Sequence, residues 1–146
     1  MKKMSENKLF QVIEFDADLH KKFIVDSWLK SSHDSFPACL IEQELYNANF
    51  LPWCVTLLSR ALVLVAVNTE DHDHLCGWCC CSDGRIHYVY VKYALRGFGV
   101  ARGLLREAER ISGKLATFTS LPNNQNVLKA LARYGLKYDP YAARDL

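Results

Sequence analysis

The segment from Val89 to Leu105 contains the residue types that most directly suggest chemistry. A strand-like run, Val89-Tyr90-Val91, is followed by Arg96-Gly97-Phe98-Gly99 and then by an amphipathic stretch. The first N–H groups of a helix lack intrahelical acceptors, and the helix dipole places partial positive charge behind them. Glycine lets an anion approach the backbone without meeting a Cβ. The segment therefore predicts an anion-binding turn, with Arg96 and Arg102 adding charge on either side.

Spacing excludes two other phosphate-binding patterns at this turn. The Walker pattern requires a Gly-Lys-Ser/Thr ending, which does not follow Gly97 or Gly99. A dinucleotide fingerprint requires three glycines and a parallel βαβ unit near an early strand. An ordinary strand–helix connection would also contain such glycines, so the pattern alone leaves that reading open.

Hydrophobic periodicity predicts the elements that position this turn. Leu9–Phe15 is predicted to be a strand, and Asp16 or Asp18 offers an N-cap for the helix that follows. A second helix is expected to begin at Pro37 and to restart at Pro52.

The middle of the chain predicts three consecutive strands. Ala61–Val67 is rich in β-branched residues and predicts a fully buried strand, and the polar stretch Asn68–His74 predicts a turn. Leu75–Cys81 is the next predicted strand, and Asp83-Gly84 indicates a compact hairpin leading to Ile86–Val91.

The last third predicts two helices and two strands. The helix after Leu95 is expected to end at Gly113, and Lys114–Thr119 is a predicted strand. Asn123-Asn124 can cap a helix that ends at Gly135, and Lys137–Ala143 is a predicted edge strand. The predicted order is β-α-α-β-β-β-α-β-α-β, an α/β fold with helices packed on a mixed sheet.

Length and composition limit the function classes. The chain has 146 residues, 50% of them hydrophobic, which predicts one domain over 1–146. Eighteen basic and sixteen acidic residues leave a net charge of +2, which does not suggest a nucleic-acid partner. The longest apolar run, Ala61–Val67, is too short to span a bilayer, and no apolar stretch follows the N-terminus. We therefore expect no membrane association and a cytoplasmic location.

Six cysteines raise the question of a metal or redox site. The candidate ligands fall in one short stretch, and no second Cys-x-x-Cys lies elsewhere. Neighbouring residues of a strand point to opposite faces, so these thiols cannot all meet at one centre. We expect no bound metal, and we expect the thiols to be reduced. The alternative hypothesis is a metal or redox site formed by these residues: His72, His74, Cys76, Cys79, Cys80 and Cys81.

The segment resembles the GNAT (Gcn5-related N-acetyltransferase) superfamily. Arg96-Gly97-Phe98-Gly99-Val100-Ala101 matches its Arg/Gln-x-x-Gly-x-Gly/Ala signature, with the strand before and the Leu104-Leu105 helix after it as in that family. The resemblance implies a mostly antiparallel central sheet with helices on both faces. It implies acetyl-CoA as cosubstrate, no metal, and acetyl transfer to a primary amine by direct attack in a ternary complex.

The resemblance also implies cofactor-binding residues. The pyrophosphate would lie on the backbone amides of Arg96, Gly97, Phe98, Gly99, Val100, Ala101 and Arg102. The pantetheine arm would lie beside the strand at Val89, Tyr90 and Val91. Asn124 matches an asparagine that relatives use toward the pantetheine, although an N-cap role explains it equally well.

The acid–base residues depart from the family pattern. Relatives often carry a carboxylate early on the strand, where this chain has Arg85, and His87 is the candidate base because the pKa of histidine lies near neutrality. Leu131 occupies the position of the tyrosine that protonates the leaving thiolate in relatives. Tyr134 is the nearest candidate acid, and Tyr138, Tyr141 or solvent could substitute.

The acceptor side leaves further alternatives. The chain has one predicted closing strand where larger members of the family have two. Two alternatives follow for the acceptor-binding side: a second copy of the protein completes it in a homodimer, or no small substrate binds there. The alternative function is a catalytically inactive module that binds CoA or a protein partner. Phe23-Ile24, Ser27-Trp28-Leu29-Lys30-Ser31 and Tyr138-Asp139-Pro140-Tyr141 are also similar to bacteriophage-encoded GNAT-like proteins.

Overall fold

A computed structural model of the protein describes residues 9–122 and 124–143. Six strands and four helices follow one another in the predicted order. The strands are β1 Phe10–Glu14, β2 Leu62–Asn68, β3 Asp71–Ser82, β4 Arg85–Val91, β5 Thr117–Phe118 and β6 Lys137–Tyr138. The helices are α1 Ala17–His33, α2 Gln43–Arg60, α3 Val100–Ser112 and α4 Gln125–Arg133.

The strands form one mixed sheet in the order β1-β2-β3-β4-β5-β6. The pairings from β1 to β4 are antiparallel, whereas β4–β5 and β5–β6 are parallel. The predicted α/β class, with a mostly antiparallel sheet, is confirmed. It is also the fold that the resemblance implies.

Helices cover both faces of this sheet because the central strands bury side chains on both sides. Leu64 of β2 packs in the core that includes Leu104 of α3, whereas Val65 packs with Trp28 of α1. The cysteines of β3 follow the same alternation. Cys79 and Cys81 face the α3 side and Cys80 faces the α1 side, as predicted from strand geometry, and the six thiols are not bonded to one another.

Two glycines allow backbone segments to approach closely. A Cβ on Gly77 of β3 would lie 2.4 Å from the carbonyl oxygen of Tyr90 in β4. A Cβ on Gly103 of α3 would lie 2.8 Å from the ring of Phe10, so this helix lies directly on β1. The approach at Gly77 brings β3 and β4 together, whereas the approach at Gly103 places the first turns of α3, next to the predicted anion-binding turn, against β1.

The structure corrects two predicted elements before β4. No helix begins at Pro37, since Ala38–Leu40 form one 3-10 turn and α2 starts at Gln43, and α2 continues through Pro52 instead of restarting there. The predicted turn Asn68–His74 is mostly strand, because β3 begins at Asp71 and pairs with the end of β2.

The C-terminal strands are shorter than predicted. β5 contains only two residues of the predicted Lys114–Thr119 strand, and β6 ends at Tyr138 because Pro140–Ala143 form a 3-10 turn. Asn124 caps α4 as predicted, whereas Asn123 lies outside the described residues. Within the described chain, no helix has both the length and the apolar character that crossing a membrane requires.

Candidate functional site

The turn between β4 and α3 is built around two glycines in the left-handed backbone region. A 3-10 turn at Tyr93–Leu95 follows β4, and Gly97 and Gly99 have φ angles of +89° and +85°. Residues with a Cβ avoid these angles. Gly99 is the N-cap of α3 and supplies no side chain to bond the first N–H groups of the helix.

The N–H groups at this helix start are free. In residues 9–122 and 124–143, none of the N–H groups of residues 97–102 has a hydrogen-bond acceptor. The first engaged N–H is that of Gly103, which donates to the Gly99 carbonyl at 3.0 Å. The N–H of Arg96 donates to the Tyr93 carbonyl, so the free row begins at Gly97 and not at Arg96.

The side chain of Arg96 braces this turn. Its Nε donates to the carbonyl of Val91, the last residue of β4, at 3.0 Å. Its guanidinium lies over the ring of Tyr93, 5.2 Å from the ring centroid. Arg96 therefore holds the turn against the strand end, in addition to bringing positive charge to it.

A cavity of about 450 Å³ opens beside the free N–H groups. Its walls are the end of β4, the turn, the first turn of α3 and one face of α4. Strand β5 pairs with β4 only at Arg85 and Ile86, so the two strands diverge toward the cavity. Of the predicted cofactor-binding residues, the lining includes Val91, Arg96, Gly97, Gly99, Val100, Ala101, Arg102 and Asn124.

The other three predicted cofactor-binding residues lie outside this lining. The side chain of Val89 is buried in the core on the α3 side. The ring of Tyr90 packs on the opposite face against Phe23 and Trp78. The ring of Phe98 is 54% exposed at the tip of the turn.

Asn124 presents an unsatisfied donor at this cavity. Its Oδ1 accepts a hydrogen bond from the N–H of Asn126 at 2.8 Å, which caps α4. Its Nδ2 is buried and has no hydrogen-bond partner within the described part of the chain. A buried donor without an acceptor is costly, so a ligand carbonyl at this position would satisfy it.

The charge of the lining is entirely positive. Arg96, Arg102, Lys129 and Arg133 line the cavity, and the lining contains no carboxylate. Lys129 and Arg133 are not among the predicted site residues. Their spacing of four residues on a helix places them on one face, and this signal could have identified them.

Tyr134 also lines the cavity, at the C-terminal end of α4. Its hydroxyl donates to Oε1 of Glu109 at 2.6 Å. Burial and this carboxylate raise the pKa of Tyr134 to about 12, and the hydrogen bond lowers the pKa of Glu109. The tyrosine proton is therefore directed at α3. Leu131, one turn earlier, is buried in the core.

His87 lies at a bulge in β4. Cys80 pairs with Tyr88 and Cys81 pairs with Ile86, so His87 is the extra residue of its strand. Ile86 packs in the same core as Val89, so simple alternation along β4 does not decide which face His87 occupies.

The ring of His87 is buried and engaged at both nitrogens. The Ser82 hydroxyl lies 2.7 Å from Nε2, and the Thr119 hydroxyl lies 3.5 Å from Nδ1. Burial, together with the charge of Arg85, lowers the pKa of His87 to about 4. The reason for selecting this residue, a pKa near neutrality, therefore does not hold, and the ring is outside the cavity lining.

The residues considered for a metal site do not converge. Over the described ranges, no three side chains among His, Cys, Asp and Glu are placed to hold a metal ion. Burial raises the pKa of Cys76, Cys79, Cys80 and Cys81, which keeps these thiols protonated.

Comparisons with known proteins identify the fold. No protein-family model matches the chain, and no curated protein matches its sequence. Among solved structures, YjaB from Escherichia coli has a TM-score of 0.59 at 21% identity, covering 86% of this chain and 79% of that one. A protein from Pyrococcus furiosus, assigned as an acetyl transferase, has a TM-score of 0.58 at 24% identity, covering 85% and 91%. AAC(6')-Iy has a TM-score of 0.51 at 14% identity, covering 87% and 90%.

These structures establish the class of fold. The mixed sheet with helices on both faces is an architecture that this chain shares with these solved structures, among them acetyltransferases. The identities are low, so the likeness describes architecture and does not assign an activity.

Proposed function

We propose that the protein is an acetyl-CoA-dependent N-acetyltransferase that transfers an acetyl group to a primary amine by direct attack in a ternary complex. The observation that carries this proposal is the row of free N–H groups at residues 97–102, beside a cavity with cationic walls. Such a row favours a phosphate ester, because it combines hydrogen-bond donors with the positive end of a helix dipole.

The residues present fit two parts of coenzyme A, the diphosphate and the pantetheine arm. The free N–H groups would hold the diphosphate, and no Cβ at Gly97 or Gly99 stands in its way. The orphaned Nδ2 of Asn124 would donate to a carbonyl of the pantetheine arm. The diverging edge of β4 at Val89–Val91 would pair with the amides of that arm as a strand would.

The structural neighbours add support at the level of the fold. AAC(6')-Iy was solved with a bisubstrate analogue that joins CoA to an acetylated neamine. The structure of yncA from Salmonella typhimurium contains acetyl-CoA as its cofactor. A cavity of this fold therefore accommodates the coenzyme in other proteins.

In the proposed reaction, the thioester supplies an activated acetyl group and the protein supplies alignment. Holding the reacting groups in one geometry can contribute much of the rate. We keep His87 and Tyr134 as the proposed acid–base residues. His87 would act as a neutral ring through its hydroxyl partners, and Tyr134 would donate a proton only after its bond to Glu109 opens.

A second candidate function is a module that binds coenzyme A without turnover. The low pKa of His87 and the burial of Leu131, where relatives carry a tyrosine, favour this alternative. Turnover across a panel of primary amines distinguishes the two functions, since only the enzyme releases free CoA thiol.

Paired glycine variants at the two ends of α3 test the proposed cavity. Gly99→Leu adds a side chain at the cavity, whereas Gly113→Leu adds the same side chain at the other end of the helix. Both positions have positive φ and open space for a Cβ. At Gly99 ψ is +11°, where a side chain costs about 1–2 kcal/mol, whereas ψ at Gly113 is −179°, a conformation that essentially only glycine adopts. Gly113→Leu is therefore the more strained variant, and binding by it shows that strain alone does not abolish affinity.

Isothermal titration with acetyl-CoA should show binding by wild type and by Gly113→Leu. Gly99→Leu should lose binding while it still unfolds cooperatively. Equal affinity in all three proteins, or no binding by wild type, would overturn the proposed function.

A further inference from the structure

Helix α2 is apolar on two faces, and the fold covers only one of them. Cys54 and Leu57 are buried in the core that includes Trp28 of α1. No residue from Leu45 to Ser59 is charged, so the other face lacks the charged side chains that a surface helix usually presents to water. A helix that is hydrophobic all round is normally buried all round. The uncovered face of α2 therefore indicates a missing partner.

The residues of the uncovered face form a seam along the helix. Four exposed residues follow one another at spacings of three and four: Leu45, Ala48, Pro52 and Val55. This spacing places them on one side of α2. Leu51 is exposed beside them, and the exposed Leu40 and Ile41 directly precede the helix. These seven residues are called the α2 surface below.

The α2 surface is large enough to be an interface. It holds five of the fourteen large apolar side chains that the described chain exposes, and Leu40 and Leu45 are 74% and 57% exposed. Single exposed apolar side chains are ordinary, whereas a contiguous patch on the order of 500 Å² marks an interaction site. Two such patches facing each other would bury about 1,000 Å², the size at which specific interfaces begin.

We propose that the α2 surface docks on the α2 surface of a second copy of this chain, with the two helices antiparallel across a two-fold axis near Pro52. Such an axis uses the same surface on both copies, and the spacing of three and four is the one with which helices pack along each other. The seam is also symmetric about Pro52, since the exposed Leu45 and Ser59 lie equally far from it.

The charges at the ends of α2 favour the antiparallel arrangement. Glu44 lies in the first turn and Arg60 in the last, and they are the only charged residues of the helix. Antiparallel packing brings the acidic end of one copy toward the basic end of the other, whereas parallel packing would bring like charges together. The same charges disfavour a membrane as the partner, because helices that lie on membranes are rich in lysine and arginine.

The inference is independent of the proposed function and is tested by analytical ultracentrifugation over a range of protein concentrations. The test variant is Leu45→Lys/Val55→Lys, which adds two charges to the α2 surface at exposed positions. The control is Ile111→Lys/Leu121→Lys, which makes the same changes at exposed apolar residues outside α2. Circular dichroism should show cooperative unfolding by both variants, because none of the four side chains is in the core.

Wild type and the control should sediment with twice the 16.7 kDa mass of the chain. Leu45→Lys/Val55→Lys should be monomeric, its dimer affinity lowered at least about hundredfold by like charges across the interface. Mixing it with Leu45→Glu/Val55→Glu should restore the dimer, because the charges then attract.

Three results overturn the proposal. The first is a monomeric wild type, and binding of that monomer to vesicles of phosphatidylcholine and phosphatidylserine would then assign the α2 surface to a membrane. The second is a dimer that persists in Leu45→Lys/Val55→Lys, which would place the interface elsewhere on the molecule. The third is a wild-type mass that continues to rise beyond two chains with concentration, because a two-fold interface is closed.

Discussion

The hydroxyl of Tyr134 and the carboxylate of Glu109 form a 2.6 Å hydrogen bond that joins the end of α4 to α3. The same carboxylate accepts the N–H of Leu115 at 3.1 Å, beyond the end of α3. One acidic side chain therefore connects two helices and the loop that leads to β5. Since Tyr134 lines the cavity, this connection also ties one wall of the cavity to α3.

Replacing Tyr134 with Phe should lower the melting temperature at pH 7. The hydrogen bond from Tyr134 lowers the pKa of Glu109 below its ordinary value of 4.5. The hydrogen bond therefore stabilises the folded protein fully at pH values above 4.5. The effect is lost as the pH falls and the carboxylate becomes protonated. Thermal unfolding monitored by circular dichroism should therefore show a difference between wild type and variant that narrows below about pH 4.5.

Tyr138→Phe is the control for this experiment, because the Tyr138 ring packs against Phe118 and has no hydrogen bond among the described contacts. It should match wild type across the same pH range. A constant difference between wild type and Tyr134→Phe from pH 7 to pH 3 would contradict the prediction.

The low pKa of His87 should make the free energy of unfolding depend on pH. The unfolded chain takes up a proton near pH 6.5, whereas the folded protein does so only near pH 4. Stability therefore falls as the pH decreases through this window, by about 3 kcal/mol in total from this residue. His87→Gln, which can still bond to Ser82, should show a correspondingly shallower dependence in urea denaturation from pH 7.5 to pH 4.

His72→Gln changes an exposed histidine on β3 and should keep the slope of wild type. Identical slopes for wild type and His87→Gln would show that the buried ring does not titrate as described. The same variant tests the proposed acid–base role, because turnover that is unchanged from pH 6 to pH 9 removes His87 from the reaction.

Gly77→Ala should destabilise the protein by about 3 kcal/mol, because the added Cβ meets the backbone carbonyl of Tyr90 and strand β4 must move. Gly103→Ala offers the comparison. Its Cβ meets only the ring of Phe10, which can shift, and alanine favours the helix by about 1 kcal/mol. Chemical denaturation should place Gly103→Ala within about 1 kcal/mol of wild type, and a reversed order would refute the prediction.

Ser27→Ala should cost about 2 kcal/mol, because it leaves a buried donor without an acceptor. The indole Nε1–H of Trp78 donates to Ser27 Oγ at 2.8 Å, and this indole is buried against Trp28 and Tyr88. Urea denaturation followed by tryptophan fluorescence measures the loss. Ser59→Ala, at an exposed hydroxyl that bonds only to its own helix, should change stability by less than about 0.5 kcal/mol.

Local sequence patterns predicted the helix ends, because each end is determined by residues only a few positions away. Asp16, one of the two predicted caps, begins α1, and Gly113 ends α3 and Asn124 caps α4 as predicted, because caps depend on adjacent backbone groups. The alternation of Cys79, Cys80 and Cys81 was also predictable, since it follows from strand geometry.

Features that depend on distant contacts were not predictable in this way. The polar start of β3 at Asp71 is a strand only because β2 offers it a partner. The bulge at His87 follows from the register between β3 and β4, which no local pattern in the sequence reveals. At the cavity, the glycine turn was visible in the sequence, whereas Lys129 and Arg133 became relevant once α4 packed beside α3.

The positions of the six thiols allow unfolding of this protein to be followed by cysteine labelling. Cys39 is exposed, whereas the other five cysteines are buried and their pKa values are raised by burial. A small alkylating reagent therefore reaches one thiol in the native protein, because only Cys39 is exposed. The remaining five lie in α2 and β3, so each becomes available only when the centre of the sheet separates from its helices. Mass spectrometry of the labelled protein would then distinguish chains that carry one label from chains in which the buried thiols have also reacted.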